Sequence, residues 1–482
     1  MKSSEENRTT EETRTTQSIP LETVQDSLYA KREKIYPRQV LGLFSSLRIT
    51  SVFTLLGIYY IFPWLTWDGR QAVLLDLPAR KFYIFGLTFW PQDMIFLAFL
   101  LIMAGLTLFF FTALAGRLWC GFACPQTVWT EVFLWMERWV EGDRPQQMKL
   151  DKAPMSARKL RLKATKHAIW IFFAAYTGLT FVGFFSPIRE LCVNLLHFNA
   201  SSTETFWVFF YGFATYGNAG WLREQICIYM CPYARFQSAM FDKDTMVLAY
   251  DTKRGEPRGS RKRGEDYKTT GLGDCVNCTM CVQVCPTGID IRDGLQYQCI
   301  SCSACIDICD EVMVKVGYPK GLIRYTTQNI LEGGHTHVFR LRIFIYGFLL
   351  LSLFLGWMYA ISQRFLVELD VMRDRNSLFK ETETGFIENV YVVKLMNLDE
   401  HAHSFKISAQ GIEGLQLEVN QTSELKLASG EILDVPVRLI ADPKKLKQRS
   451  TDVSFQMQAT DAPTNPKLTT VEQARFLGPI TR

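Results

Sequence analysis

CVNCTMCVQVCPTGIDIRDGLQYQCISCSACIDICD, residues 275–310, holds eight cysteines in two runs of identical spacing. The first run is Cys275, Cys278, Cys281 and Cys285, followed by Pro286; the second is Cys299, Cys302, Cys305 and Cys309. Each cysteine of the second lies 24 positions after its counterpart, so the motif is also an internal repeat. C-x2-C-x2-C-x3-C is the ligand spacing of a bacterial two-cluster ferredoxin, in which the fourth cysteine of each run ligates the other cluster. On that rule Cys275, Cys278, Cys281 and Cys309 hold one [4Fe–4S] cluster, and Cys299, Cys302, Cys305 and Cys285 hold the second. A pair of zinc sites also uses C-x2-C but needs neither the third close cysteine nor the C-P ending. Cys309 departs from the pattern, being followed by Asp310, which makes one cluster's surroundings more acidic. The stretch predicts electron transfer.

Outward from it, the 482 residues are long enough for about three domains. Uncharged apolar stretches long enough to span a bilayer recur at 49–67, 94–115, 168–187, 205–222 and 343–361. Lys31, Arg32, Lys34, Arg38 and Arg48 precede the first stretch, and ten basic residues, Arg158 to Lys166 among them, lie between the second and third. Another basic segment, with Lys253, Arg254, Arg258, Arg261, Lys262 and Arg263, follows the fourth. The alternate loops carry few: Arg70, Arg80 and Lys81 in one and Arg189 in the other. This asymmetry places the amino terminus and both long loops in the cytoplasm and residues after 362 outside. All thirteen cysteines precede residue 310, on the reducing side apart from Cys192 in the short outer loop, where a structural role is expected. The formal charge of +5 follows from these loops. The Arg258–Arg263 run reads as a sidedness signal near anionic lipid, not as a nucleic-acid site.

The fold class expected is an α-helical integral membrane protein with about five transmembrane helices, a cytoplasmic 2[4Fe–4S] ferredoxin-like domain and a carboxy-terminal immunoglobulin-like β-sandwich. The divisions are a polar, disordered segment at 1–45, a four-span core at 46–245, a basic linker at 246–270, the ferredoxin-like domain at 271–338, the fifth span at 339–365 and the sandwich at 366–482. The sandwich rests on alternating runs such as 386–396, 404–409, 415–419, 432–439 and 453–459, without a cysteine pair.

A second set of cysteines stands at the membrane. Cys120 and Cys124, then Pro125, follow the second stretch, and Cys227 and Cys231, then Pro232, follow the fourth. Proline suits the first helical position, which makes Cys124 and Cys231 candidate N-caps. A helix N-terminus, with Arg117 and Arg235 near, is expected to lower the thiol pKa. Four such thiolates could ligate copper as Cu(I) or a further iron–sulfur cluster; buried apolar filler is the bland alternative, and the recurrence of C-x3-C-P at equivalent topological points favours the metal or redox role. His335 with His337, and His401 with His403, read as surface histidines before metal ligands. Trp119, Trp129, Trp135 and Trp139 read as an interfacial belt.

Together these features resemble the FixG/CcoG (RdxA) family, accessory proteins of the cbb3-type cytochrome oxidase. The likeness covers the basic amino-terminal flank, Cys120 to Gln126 as C-G-x-x-C-P-Q, Cys227 to Pro232, the ferredoxin repeat and the sandwich tail. C-P membrane motifs also occur in polyferredoxin subunits of periplasmic nitrate and nitrous-oxide reduction, which lack the tail. The resemblance implies reduction of Cu(II) to Cu(I) for assembly of the haem–copper oxidase in the bacterial inner membrane. The partners it implies are the lipid bilayer, a cytoplasmic electron donor, copper ions and copper-delivery or oxidase-assembly proteins; the chain could also self-associate. An electron-transfer subunit serving the quinone pool or a periplasmic reductase, and a non-catalytic assembly scaffold, are the competing classes.

Overall fold

The computed structural model describes residues 34–261, 271–374, 378–399, 401–419, 425–446 and 448–479. Of the segment 1–45 expected to be disordered, residues 1–33 lie outside these, as do Lys262 and Arg263 of the basic run; residues 34–45 are instead ordered, with Val40 buried and a helix beginning at Leu43. Among the described residues three helices are long and apolar enough to cross a membrane: Leu43–Trp64 with its 3₁₀ end, Pro91–Ala115 with its 3₁₀ start, and Leu341–Ser362. In the second and third only 6% of the most apolar window is buried, so their side chains need an apolar surrounding. These two helices pair antiparallel, with the Trp357 indole donating to the Phe96 carbonyl at 3.1 Å and Arg340 to the Ala113 carbonyl at 2.8 Å.

The stretches 168–187 and 205–222 lie on helices Ala157–Val182 and Ser202–Thr215. The first begins with a basic turn capped by Ser156, whose hydroxyl accepts from the Lys159 amide. The second ends in two π-helical turns, Tyr216–Leu222 and Ile226–Met230. Glycine brings them together. A Cβ on Gly178 would sit 2.3 Å from the Val208 carbonyl oxygen, so only glycine permits this approach.

The ferredoxin-like domain, an insert at 271–338 between the membrane stretches, and the cysteine motifs gather at one end of the helices. Its strand Ile323–Thr326 pairs antiparallel with Val247–Tyr250, so residues 247–250 belong to the insert's sheet instead of to a linker. Residues 34–42 also pack here, with Val40 buried in the insert's core. Asp307 of the insert accepts from the Phe44 and Ser45 amides at 3.2 and 2.7 Å, capping the first membrane helix. At the other end stands the sandwich. One sheet runs Gln416–Val419, Ile432–Ala441, Ile387–Asn397, Val367–Arg373; the other runs Leu425–Leu427, His403–Gln410, Ser450–Ala459, Thr469–Leu477. Their alternate residues, Val393, Leu395, Phe405, Val437 and Phe455 among them, are fully buried between the sheets. Strands Val73–Asp76, Lys81–Ile84 and Leu87–Phe89 form a small sheet beneath it. Lys81 donates to the Gly430 carbonyl at 3.0 Å and Asp93 pairs with Arg364.

Candidate iron–sulfur centres and thiolate cluster

Both cysteine runs fold the same way. Asn277 and Ser301 have φ of 52° and 54°, and Thr279 and Ser303 have 55° and 62°. A left-handed residue among right-handed ones turns successive amides to one side, making the nest that receives anionic groups such as iron–sulfur clusters. The helices Met280–Gln283 and Ala304–Val316 follow directly. Cys275, Cys278, Cys281 and Cys309 line one cavity. Cys285, Cys299, Cys302 and Cys305 line a second, with Cys281 at its edge. Apolar side chains wall both, Met313 and Leu322 the first and Ile289 and Ile291 the second. Among the described residues no three His, Cys, Asp or Glu side chains close round a single ion.

Burial governs these thiols. It pushes Cys281 up to about 11 and Cys299 and Cys309 up to about 12, with the Asp310 carboxylate adding to the effect on Cys309. Metal binding at such sites releases protons. Asp310 also fixes a loop, its carboxylate accepting from the Gly321 amide at 2.8 Å.

The four membrane cysteines converge beside the second cavity. Cys120 is electrostatically coupled to Cys124, Cys227 and Cys231, and Cys120 and Cys227 pack against the insert's core. Three features seat them. Arg117, buried, donates to the carbonyls of Tyr297, Cys299 and Ala234, joining both membrane motifs to the second run. Gly121 has no room for a side chain, since a Cβ would fall 2.6 Å from the Ser301 carbonyl oxygen. Arg48 of the first helix donates to the Cys302 carbonyl at 2.9 Å.

Cys124 is the N-cap of helix Pro125–Glu141 with proline at the first position. Cys231 instead closes the π turn, and Pro232 caps the seven-residue helix Tyr233–Ala239. For Cys124 the expected lowering of thiol pKa is overturned. Burial raises Cys124, and pushes Cys120 and Cys227 up to about 12 against the pull of Arg117.

The remaining candidates stay apart. Cys192 lies on helix Ile188–Leu196, away from the other cysteines. His337 gives only its amide, to Asp244 at 3.0 Å. His403 is held at both ring nitrogens, by Asp399 and Asp461 at 2.8 Å each, and His401 precedes its strand, so this pair offers no metal site. Trp119 and Trp139 are exposed, whereas Trp129 and Trp135 pack inside. Arg117, Gly121 and Arg48 were visible in the sequence only as charge and motif spacing; nothing local announces which carbonyls they meet.

Residues 222–328 match a 4Fe-4S dicluster domain, and residues 96–142, whose cysteines are Cys120 and Cys124, match a 4Fe-4S binding domain. Residues 357–479 match the IG-like fold at the C-terminal of FixG. Protein RdxB of Cereibacter sphaeroides is 43% identical over 436 residues, 87% of this chain and 91% of that one. Protein RdxA of the same organism is 40% identical, covering 86% of this chain and 88% of that one. The chain belongs to the FixG/RdxA family. The nitrogen fixation protein FixG of Rhizobium meliloti is 36% identical over 82% of this chain and 83% of that one. A crystal structure of a FixG-related protein from Vibrio parahaemolyticus aligns with 24% of this chain and 98% of that one at 24% identity and a TM-score of 0.21. With its apolar helices and two 4Fe–4S domains, this member of the family is a membrane iron–sulfur electron-transfer protein.

Proposed function

We propose that the chain reduces Cu(II) to Cu(I) at the Cys120, Cys124, Cys227 and Cys231 cluster, in support of assembly of a haem–copper cbb3-type oxidase. The carrying observation is the juncture at Arg117, where one guanidinium ties both membrane motifs to the backbone of Cys299. The residues that would hold the two [4Fe–4S] clusters are Cys275, Cys278, Cys281 and Cys309, and Cys285, Cys299, Cys302 and Cys305. When bound, such clusters supply single electrons. Cupric ion needs one electron, and thiolates stabilise the cuprous product. Cys120 and Cys227 offer that soft donor set in a buried, apolar place, and release protons as the ion binds. Arg117 and Gly121 keep the motif pressed to the second run.

In this reading the chain crosses the bacterial inner membrane five times, with the amino terminus and insert cytoplasmic and the sandwich periplasmic. The basic loops support that orientation. The sandwich, anchored through Lys81 and Arg364, is the part free to meet oxidase or copper-delivery proteins. A further cluster on the four membrane cysteines is the second reading, favoured by the 4Fe-4S binding domain match over Cys120 and Cys124.

One experiment tests the first reading. The double variant Cys120→Ser, Cys124→Ser, reduced by dithionite and freed of excess, is expected to lose cupric reduction while keeping the visible absorbance of the two ferredoxin-type clusters. Undiminished Cu(I) formation would remove these thiols from the reaction.

A further inference from the structure

Behind the thiolate cluster lies a cavity of about 240 Å³ that copper reduction does not use. At ~30 Å³ per water it has room for about eight waters. Residues 34–35, the helix Pro125–Glu141, the helix Ala157–Val182 and the π turn Tyr216–Leu222 with Arg223 line it, and it opens to the outside. It shares Ile35 and Arg223 with the smaller cavity that reaches Cys227 and Cys302.

The cations in its wall are already engaged. Lys34, Lys166 and Arg223 all bond Glu137, at 3.4, 3.3 and 2.6 Å, and Lys34 and Lys166 also pair with Asp151 and Glu141. An anionic headgroup therefore gains little here. The other wall is aromatic and carries a directed donor. In a π turn residues i and i+5 share a face, and the Trp221 indole donates to the Tyr216 hydroxyl at 3.2 Å. That hydroxyl stands 2.9 Å from Nδ1 of His167. An indole N–H only donates, so the hydroxyl accepts from it, and its own O–H is available to donate to Nδ1 of His167. With Nδ1 accepting from the hydroxyl the imidazole carries its hydrogen on Nε2, and His167 lines the cavity. Trp170 is buried at the cavity's edge, and Gly220 lets the turn close on it, a Cβ there falling 3.2 Å from the Trp170 ring. His167 directly precedes the stretch 168–187 and Trp221 lies at the end of 205–222, so the five-span reading puts the cavity at the level of the membrane interface.

We propose that this cavity binds the ring of a membrane-borne quinone or its quinol. The Trp221 indole covers the ring face, the His167 Nε2–H donates to one ring oxygen, and the tail leaves along the apolar helices. A flat ring bearing carbonyl oxygens on an apolar chain is what one aromatic wall, one neutral donor and neutralised cations select. The proposal deepens the electron-transfer reading, since it names the chemical class of a redox partner beside Cys227.

The test is binding to the full chain carrying its clusters, in lipid nanodiscs, with a photoreactive azido-quinone of short tail. Expected is saturable labelling of the 216–223 segment, displaced by decyl-ubiquinone. It falls about tenfold in His167→Leu and in Trp221→Leu, each removing one contact, and is unchanged in Trp207→Leu. Labelling spread without saturation along the lipid-facing helices, unaltered in both variants, or displaced by anionic phospholipid but not by quinone, would overturn the site. Visible cluster absorbance of the same samples reports separately on the electron-transfer reading: a chain that lacks clusters yet labels at 216–223 fails that reading and keeps this site.

Discussion

Asn277, Thr279, Ser301 and Ser303 hold a left-handed backbone that costs a residue with a side chain roughly 1–2 kcal/mol. Four such residues at matching places in a repeat need a common return, and a buried anionic group facing the amides they turn inward supplies it. The pairing that follows is testable by combination. Cys275→Ser with Cys309→Ser should remove one cluster and leave about half the iron and acid-labile sulfide, whereas Cys299→Ser with Cys309→Ser should remove both. The reverse pattern would mean that each run keeps its own fourth cysteine. The eight cysteines were legible in the sequence because ligand spacing is local. The state of the membrane thiols was not: Arg117 suggested lowered pKa values, but burial, which depends on distant chain, pushes Cys120 and Cys227 up to about 12.

Between helices, a buried ion network decides the packing. Glu137 of helix Pro125–Glu141 is fully buried and accepts from Arg223 at 2.6 Å and Lys166 at 3.3 Å. Burial alone would raise its pKa, but Arg223, Lys34 and Lys166 bring it down to about 2. A carboxylate lowered in the fold adds stability above its ordinary value of 4.5, and loses it as pH falls toward 2. Glu137→Gln leaves Lys166 and Arg223 partly unpaired, and should cost about 3–5 kcal/mol in thermal or denaturant unfolding at pH 7. A loss within about 1 kcal/mol would show the network to be solvated. Lys34 and Lys166 were readable as a sidedness signal, but the acidic partners come from other helices. The π turns were hidden for a similar reason. Residues 205–222 read as one apolar run interrupted by glycine and Asn218, and only packing against Trp170 and Phe133 shows the change of pitch.

For the whole molecule, the sandwich was legible because alternation is a property of each strand: Ile387–Asn397 buries nearly every second residue. Its short outer pieces, such as Leu425–Leu427, and the three strands between residues 73 and 89 were not, being too brief to show a period. The apolar stretches marked where long helices lie, with the first beginning at Leu43, six residues early, because Asp307 of the insert caps it. Insert and membrane motifs therefore fold as one body, which is the arrangement a relay from clusters to thiols requires. The most direct measurement of that relay is anaerobic stopped-flow mixing of the fully reduced chain with Cu(II) and a Cu(I)-trapping dye, following the recovery of cluster absorbance and dye colour together. The account expects about two Cu(I) formed per chain, one per [4Fe–4S] cluster, appearing at the rate at which cluster absorbance returns. Cluster reoxidation without Cu(I), or Cu(I) formed while both clusters stay reduced, would contradict it.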